Sequence, residues 1–226
     1  MKMEKHWHSY WRNPGDSGMA TSIDWKLPKG WKAGPILWPT PHIITVDGIV
    51  GFGYEKEVLL ATRITPGPTV GKATIGAEVK WLICDQSCIP ASAKVTLSVP
   101  QASQPKPNHP WDFRLKEVTD NQPVPISEGI KAMKQGDEVS LSVPFADLRK
   151  KFAVLRFFPY DPSVIEHSAQ QKFQEKDGIL ELRLRVSEYA RNPKRLRGVL
   201  VCYGDQAQSA DSARSFEIDI PIQTGS

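Results

Sequence analysis

The sequence predicts an all-β protein built as two antiparallel β-sandwich domains with short helical pieces, and three observations carry that prediction. Wherever the chain is apolar, its apolar residues alternate with polar ones at a period of two, as along a half-buried strand. Nineteen prolines and sixteen glycines are scattered rather than repeated, which favours many short elements joined by turns over a helical bundle. The stretch Pro100-Gln-Ala-Ser-Gln-Pro105-Lys-Pro107-Asn-His-Pro110 has four prolines, no periodicity and no aliphatic residue larger than alanine, so it reads as a linker. A first domain is expected over residues 1–100, a proline-rich linker over 101–110 and a second domain over 111–226. A single large barrel is the alternative, and the linker argues against it.

In chain order, Val58, Leu60, Thr62 and Ile64 alternate as one strand. Ala73, Ile75, Ala77, Val79 and Trp81 alternate with Thr74, Gly76, Glu78, Lys80 and Leu82 as a second, running toward Cys84, and the 58–64 strand is expected beside it. Val95, Leu97 and Val99 mark a third before the linker. In the second half Val139–Val143, Leu180–Val186, Val199–Tyr203 and Phe216–Ile222 repeat the pattern. Helix is expected only in short pieces, over Phe145–Phe152 and for a turn or two after Pro162, since proline suits a first helical position. Six of the seven tryptophans lie at or before Trp81, so the halves are not a recent duplication.

Composition narrows the function classes. The 226 residues, 40% hydrophobic and 24% charged, describe an ordinary globular chain rather than a disordered, collagenous or coiled-coil one. A net charge of +4 is too small to imply nucleic-acid binding. No apolar run approaches the ~18 residues of a membrane span, and Met1-Lys-Met-Glu-Lys-His-Trp7 lacks the apolar stretch of a secretory signal. The expectation is either a cytosolic protein or one whose true beginning precedes Met1. Three cysteines are too few for a disulfide scaffold.

Trp81-Leu-Ile-Cys84-Asp-Gln-Ser-Cys88-Ile-Pro90 carries the most chemistry. In one continuous strand the two cysteines would lie about 13 Å apart, too far for a disulfide. If Asp85-Gln86-Ser87 is a three-residue hairpin loop, they face each other across the ladder and can bridge. Such a bridge closes a loop of about five residues and stabilises by roughly 2 kcal/mol, which is little reason to keep it for structure alone. Exchange with a partner protein is then a reason of its own. Asp85 disfavours a thiolate on its neighbour Cys84, so Cys88 is expected to be the nucleophile and Cys84 its partner. A structural bridge, two unconnected thiols, or a copper or zinc site drawing on His6 and His8 from one strand face remain open alternatives. Cys202, on the face shared with Leu200, reads as a buried, inert thiol.

Other motifs fall to simpler readings. Gly15-Asp16-Ser17-Gly18 spells the tetrapeptide around a chymotrypsin-like nucleophile, but too little chain precedes it to supply a histidine and an aspartate, and its composition suits a turn. Gly51-Phe52-Gly53 lacks the spacing and lysine of a phosphate loop, so no cofactor is expected. The basic cluster Arg191, Lys194, Arg195 and Arg197 reads as a solvated face. Trp7, Tyr10, Trp11, Trp25, Trp31 and Trp38 read mostly as core and turn packing, with a peptide or sugar groove as the functional alternative.

Taken together, several stretches resemble the N-terminal periplasmic region of thiol:disulfide interchange proteins of the DsbD type, in particular the ScsB-like branch. They are His8-Ser-Tyr-Trp-Arg-Asn-Pro-Gly-Asp-Ser-Gly18, Ser22-Ile-Asp-Trp-Lys-Leu-Pro28, Pro35-Ile-Leu-Trp-Pro-Thr-Pro41, Gly53-Tyr-Glu-Lys-Glu-Val-Leu-Leu60 and the cysteine segment Trp81–Pro90. The second half is similar more loosely, through Arg156-Phe-Phe-Pro-Tyr160 and Leu196-Arg-Gly-Val-Leu-Val201. The resemblance implies an immunoglobulin-like fold and a redox-active pair in which Cys88, followed by Ile89-Pro90, attacks the partner and Cys84 resolves the mixed disulfide. It implies thioredoxin-fold periplasmic partners, with Trp81, Ile89 and Pro90 as contacts, and a membrane-embedded domain as electron donor. It also implies a short cap loop over the pair, for which Asp47-Gly-Ile-Val-Gly-Phe52 is the nearest match and Phe52 the shield. The C-x3-C spacing is tighter than in the better-known DsbD domains, so the loop has its own geometry. On this resemblance the chain is expected to be a periplasmic module whose export signal and first strand lie before Met1.

Overall fold

A computed structural model describes residues 1–68, 72–100, 110–144, 152–190, 192–204 and 213–224. Alternation does produce strands: sixteen are described, with one α-helix. The chain divides into two units. The first comprises Met1–Pro14, Gly18–Ile44 and Phe52–Gln122, and the second comprises Gly15–Ser17, Thr45–Gly51 and Pro123–Ser226. Of the expected linker, residues 101–109 lie outside the described residues.

The first unit is organised on its longest hairpin. β7 (Lys72–Cys84) and β8 (Cys88–Pro100) pair antiparallel over thirteen residues each, from Lys72↔Pro100 to Cys84↔Cys88. The other edge of β7 takes β2 (Ser22–Lys26) against Gly76–Lys80 and, at its end, β1 (His8–Gly15) through Ser9↔Ile83 and His8↔Cys84. β5 (Ile49–Glu55) and β4 (His42–Val46) continue the sheet beyond β1. The alternation of β7 works as expected, with Ala73, Ile75 and Ala77 buried and the intervening residues more exposed.

The expected neighbour of β7 is elsewhere. β6 (Ala61–Thr65) pairs with β3 (Lys32–Leu37) in a separate two-stranded sheet, and β8 takes the place beside β7. Alternation identifies a strand but not its partner, whereas the three-residue Asp85–Ser87 loop forces β8 to fold back on β7.

The helix, α1 (Trp111–Asp120), belongs to the first unit. Trp111, Phe113 and Leu115 alternate as strand residues would, and all three are exposed. The helix is fixed instead by buried Val118 and by the Asn121 N–H donating to the Glu117 carbonyl. The piece expected over Phe145–Phe152 lies, but for Phe152, outside the described residues. After Pro162 there is a turn and no helix, because Asp161 Oδ1 accepts the Ser163 N–H at 2.9 Å and its hydroxyl at 3.0 Å, closing the local backbone on itself.

The second unit is a sandwich whose strands run in the order β12-β15-β16-β10-β11-β14-β13. β10 (Lys131–Gln135), β11 (Glu138–Pro144), β13 (Lys172–Lys176) and β14 (Ile179–Arg185) form one part. β12 (Val154–Pro159), β15 (Arg195–Tyr203) and the first nine residues of β16 (Ala213–Thr224) form the other. Not every pair is antiparallel, as the sequence led us to expect. The end of β16 runs parallel to β10, and β9 (Val124–Ile126) runs parallel to its middle, because β16 is long enough to leave one partner and join another. Val139, Leu141, Leu182, Leu184, Leu196, Leu200, Cys202 and Ile218, all at 0% exposure, bring both parts into one core. Arg156–Pro159 and Gly198–Val201, the two loosely similar stretches, are direct neighbours across β12 and β15. Gly198 is needed there, since a Cβ would come within 2.2 Å of the Phe158 carbonyl oxygen.

Candidate functional site

The β7–β8 hairpin ends in the loop Asp85-Gln86-Ser87, closed by the Asp85 N–H donating to the Ser87 carbonyl at 3.2 Å. Two strands of opposite direction and a loop this short leave Cys84 and Cys88 directly opposed. They form a disulfide, with Cα atoms 4.1 Å apart. Its two ends sit in different surroundings: Cys84 is 2% exposed, whereas Cys88 is exposed.

Burial of Cys84 is the work of β1. The register His8↔Cys84 sets His8 opposite the cysteine, and Tyr10, two residues on, lies on the same face as its diagonal neighbour. The Tyr10 hydroxyl donates to Cys84 Sγ at 3.0 Å and lies 3.9 Å from Cys88 Sγ. Behind it, His8 Nε2 is 3.3 Å from Tyr10 Oη, with the rings edge to face at 5.3 Å between centroids. Burial lowers the His8 pKa against the pull of the Glu55 and Asp85 carboxylates, and raises that of the Tyr10 phenol. Both side chains are therefore neutral near pH 7.

Gly18 seats the tyrosine. Its φ is +109°, and a Cβ there would fall 2.3 Å from Tyr10 Cε1, so only glycine lets the turn close over the ring. The turn in which it lies is the Gly15–Gly18 tetrapeptide, and Asp16 in that turn serves as a hydrogen-bond acceptor. Its Oδ2 accepts the Val50 N–H at 3.2 Å, and its Oδ1 lies 2.8 Å from His167 Nδ1.

The other sequence-predicted residues divide by strand face. Pro90, opposite Leu82, shares the cysteine face, whereas Trp81 and Ile89 lie on the reverse face with Ile83. Ile89 is 47% exposed, Pro90 is exposed and Trp81 half-buried. Asp47 (φ +50°) and Gly48 (φ +82°) make the two-residue turn between β4 and β5, the Asp-Gly hairpin signature. Phe52 is inside β5 at 2% exposure, and β1 stands between β5 and β7.

His6 does not share a strand face with His8, because β1 begins at His8 and His6 occupies the preceding turn with φ +76°. Among the described residues, no group of three or more His, Cys, Asp or Glu could hold a metal ion. Cys202 is fully buried, and desolvation pushes its thiol up to about 12. Of the basic cluster, Arg195 and Arg197 pair with Asp219 on the adjacent strand, Lys194 is exposed and Arg191 lies outside the described residues.

Sequence reasoning named Tyr10, Gly18 and His8 for other reasons and did not connect them to the cysteine pair. The alternation His8-Ser9-Tyr10 could show that two polar rings share a face. Only long-range pairing, 74 residues from Tyr10 to Cys84, could show what they face.

Residues 1–100 match the family model described as the N-terminal region of the thiol:disulfide interchange protein DsbD. The fold is similar to the crystal structure of the N-terminal periplasmic domain of ScsB from Proteus mirabilis, with a TM-score of 0.72 and 17% sequence identity over 99% of this chain and 85% of that one. No curated protein sequence matches. The likeness read from the motifs thus holds, on an all-β, immunoglobulin-like frame whose cysteine pair is bridged as thiol:disulfide interchange requires.

Proposed function

We propose that this chain is a periplasmic thiol:disulfide interchange module that relays two electrons at a time to oxidised partner proteins through Cys84 and Cys88. The observation that carries the reading is the unequal exposure of the two cysteines: one end of the bridge lies at the surface and the other is enclosed. In the reduced form the Cys88 thiolate attacks a partner disulfide, making a Cys88–partner bond and releasing the first partner thiolate. Cys84, as thiolate, then attacks Cys88 Sγ, reforms the Cys84–Cys88 bond and releases the second partner thiolate. The partner gains two electrons and, with two protons, becomes a dithiol.

The clients that fit are thioredoxin-fold proteins, and a membrane-embedded domain returns the electrons. The similarity to a periplasmic domain supports the location, and the match to a thiol:disulfide interchange family supports a thiol-redox partner. Pro90 on the cysteine face, exposed Ile89 at the hairpin tip and half-buried Trp81 on the same face as Ile89 are the contacts we assign to the partner.

The test is trapping. Cys84→Ser should accumulate a mixed disulfide with an oxidised thioredoxin-fold protein through Cys88, and Cys88→Ser should form none and transfer no electrons. If both variants reduce the client at the parent rate, the proposal is wrong. A reduction potential below about −300 mV, with no exchange, would instead mark the bridge as structural.

A further inference from the structure

The Tyr10 hydroxyl, backed by His8 from the same strand, lies closer to one sulfur of the bridge than to the other. Tyr10 Oη is 3.0 Å from Cys84 Sγ but 3.9 Å from Cys88 Sγ, and His8 Nε2 is 3.3 Å behind it. A disulfide sulfur can only accept, so the single Tyr10 proton points at Cys84, and the Oη lone pairs are left to take the His8 Nε2–H. Gly18, with no side chain to displace the ring, holds the tyrosine in that place. We infer that His8 and Tyr10 form a proton relay dedicated to the buried sulfur of Cys84, with Tyr10 as its catalytic acid and base and His8 as the residue that positions and reprotonates Tyr10. The inference rests on the exchange function proposed above.

The chemistry balances in both directions. When a thiolate of an incoming dithiol attacks Cys88 Sγ, the new bond joins those two sulfurs, the Cys84–Cys88 bond breaks and its electron pair leaves on Cys84 Sγ. That charge develops in a site where Cys84 is 2% exposed, so water cannot stabilise it and the Tyr10 O–H must. Tyr10 gives its proton to Sγ and takes the Nε2 proton of His8, which takes a proton from solvent at Nδ1. The imidazole stays neutral and ends in its other tautomer. To resolve a mixed disulfide the relay runs backward: Tyr10 takes the Cys84 thiol proton, passes its own to His8 Nε2, and His8 releases Nδ1–H. Burial suits both parts, keeping the phenol protonated and the imidazole neutral, while the carboxylates of Glu55 on β5 and Asp85 in the hairpin loop draw a proton toward His8.

The test is the rate at which dithiothreitol reduces the oxidised full chain, measured from pH 5 to 9 and divided by the dithiothreitol thiolate fraction. Tyr10→Phe keeps the ring and removes the donor, so the corrected rate should fall about 10- to 100-fold, the loss of one hydrogen bond to a developing charge. His8→Gln keeps a donor to Tyr10 and should lose less than tenfold, but the wild-type inflection below pH 6.5 should vanish. His8→Phe should lose both rate and inflection. A structural role would lower melting temperatures and leave the pH profile in place.

A Tyr10→Phe rate within twofold of wild type would overturn the relay. If that variant does not fold, the wild type decides: the Tyr10 13Cζ and His8 15N resonances should both shift on reduction of the bridge, and unchanged resonances refute the relay. Failure of the parent reading is distinguishable, because then the wild type would be reduced by dithiothreitol yet pass no electrons to an oxidised thioredoxin-fold protein.

Discussion

Reducing the Cys84–Cys88 bridge should cost the first unit only about 2 kcal/mol. With a sequence separation of 4 the bridge closes a loop of about five residues, for which the chain-entropy relation gives roughly 7 cal/mol/K, or about 2 kcal/mol at 25 °C. Nothing larger is expected, because the ladder from Lys72↔Pro100 to Ile83↔Ile89 holds the two strands together without it. All seven tryptophans fall in the first unit, so their fluorescence in a urea titration follows that unit. At a slope of about 2 kcal/mol/M, reduction should move the midpoint down by about 1 M without changing the slope. A loss above about 4 kcal/mol, or a reduced protein with no folded baseline, would show that the bridge staples the fold. A redox rather than a structural reason for so small a bridge would then be refuted.

Other outcomes follow from single residues. Gly18→Ala puts a Cβ against the Tyr10 ring at positive φ; it should destabilise the first unit by about 1–3 kcal/mol and slow dithiothreitol reduction as Tyr10 shifts, measured by the same titration and rate assay. Leu141→Ala, at a fully buried core position, should cost the second unit about 2–5 kcal/mol by calorimetry. Alkylation of the reduced native chain at pH 8 should label exposed Cys88 first and spare Cys202 until denaturant is added, as counted by mass spectrometry.

Cys202 and Tyr203 also set an alkaline limit. Burial raises both groups to about 12, from ordinary values of 9.0 and 10.0, so the folded state holds their protons more tightly than the unfolded chain does. Their contribution to stability is complete below about pH 9 and is lost progressively from there to pH 12. Tyr203→Phe should flatten the alkaline fall in the second unit's melting temperature above pH 10.

How much of this was legible in the sequence varied with the range of the interaction. Alternation along Ala73–Trp81 and Leu180–Val186 gave β7 and β14, because a period of two is a local property of strands facing a core. The C-x3-C segment gave the hairpin and its bridge, because a three-residue loop leaves its flanking residues nowhere else to lie. The same reasoning failed for the partner of β6, for the parallel pairs made by β16 and for α1. Each was decided by which distant surface covered the apolar face, and α1 by burial of Val118 together with the Asn121 N–H cap on the Glu117 carbonyl.

The candidate site divides along the same line. The identity of the cysteines, the pairing that chain length permits and the expectation that Cys88 is the attacking sulfur all come from neighbours within a few residues. That Cys84 is enclosed, that Tyr10 donates to it and that His8 stands behind Tyr10 depend on β1 lying beside β7 in one register, and a shift of one residue would turn both rings to the other face. The sequence by itself determined that Cys84 and Cys88 could meet across a hairpin, and the structure shows that they do. Only the tertiary structure decided which of them lies nearer a proton donor, because that donor is brought from 74 residues away by a strand pairing that no local pattern specifies.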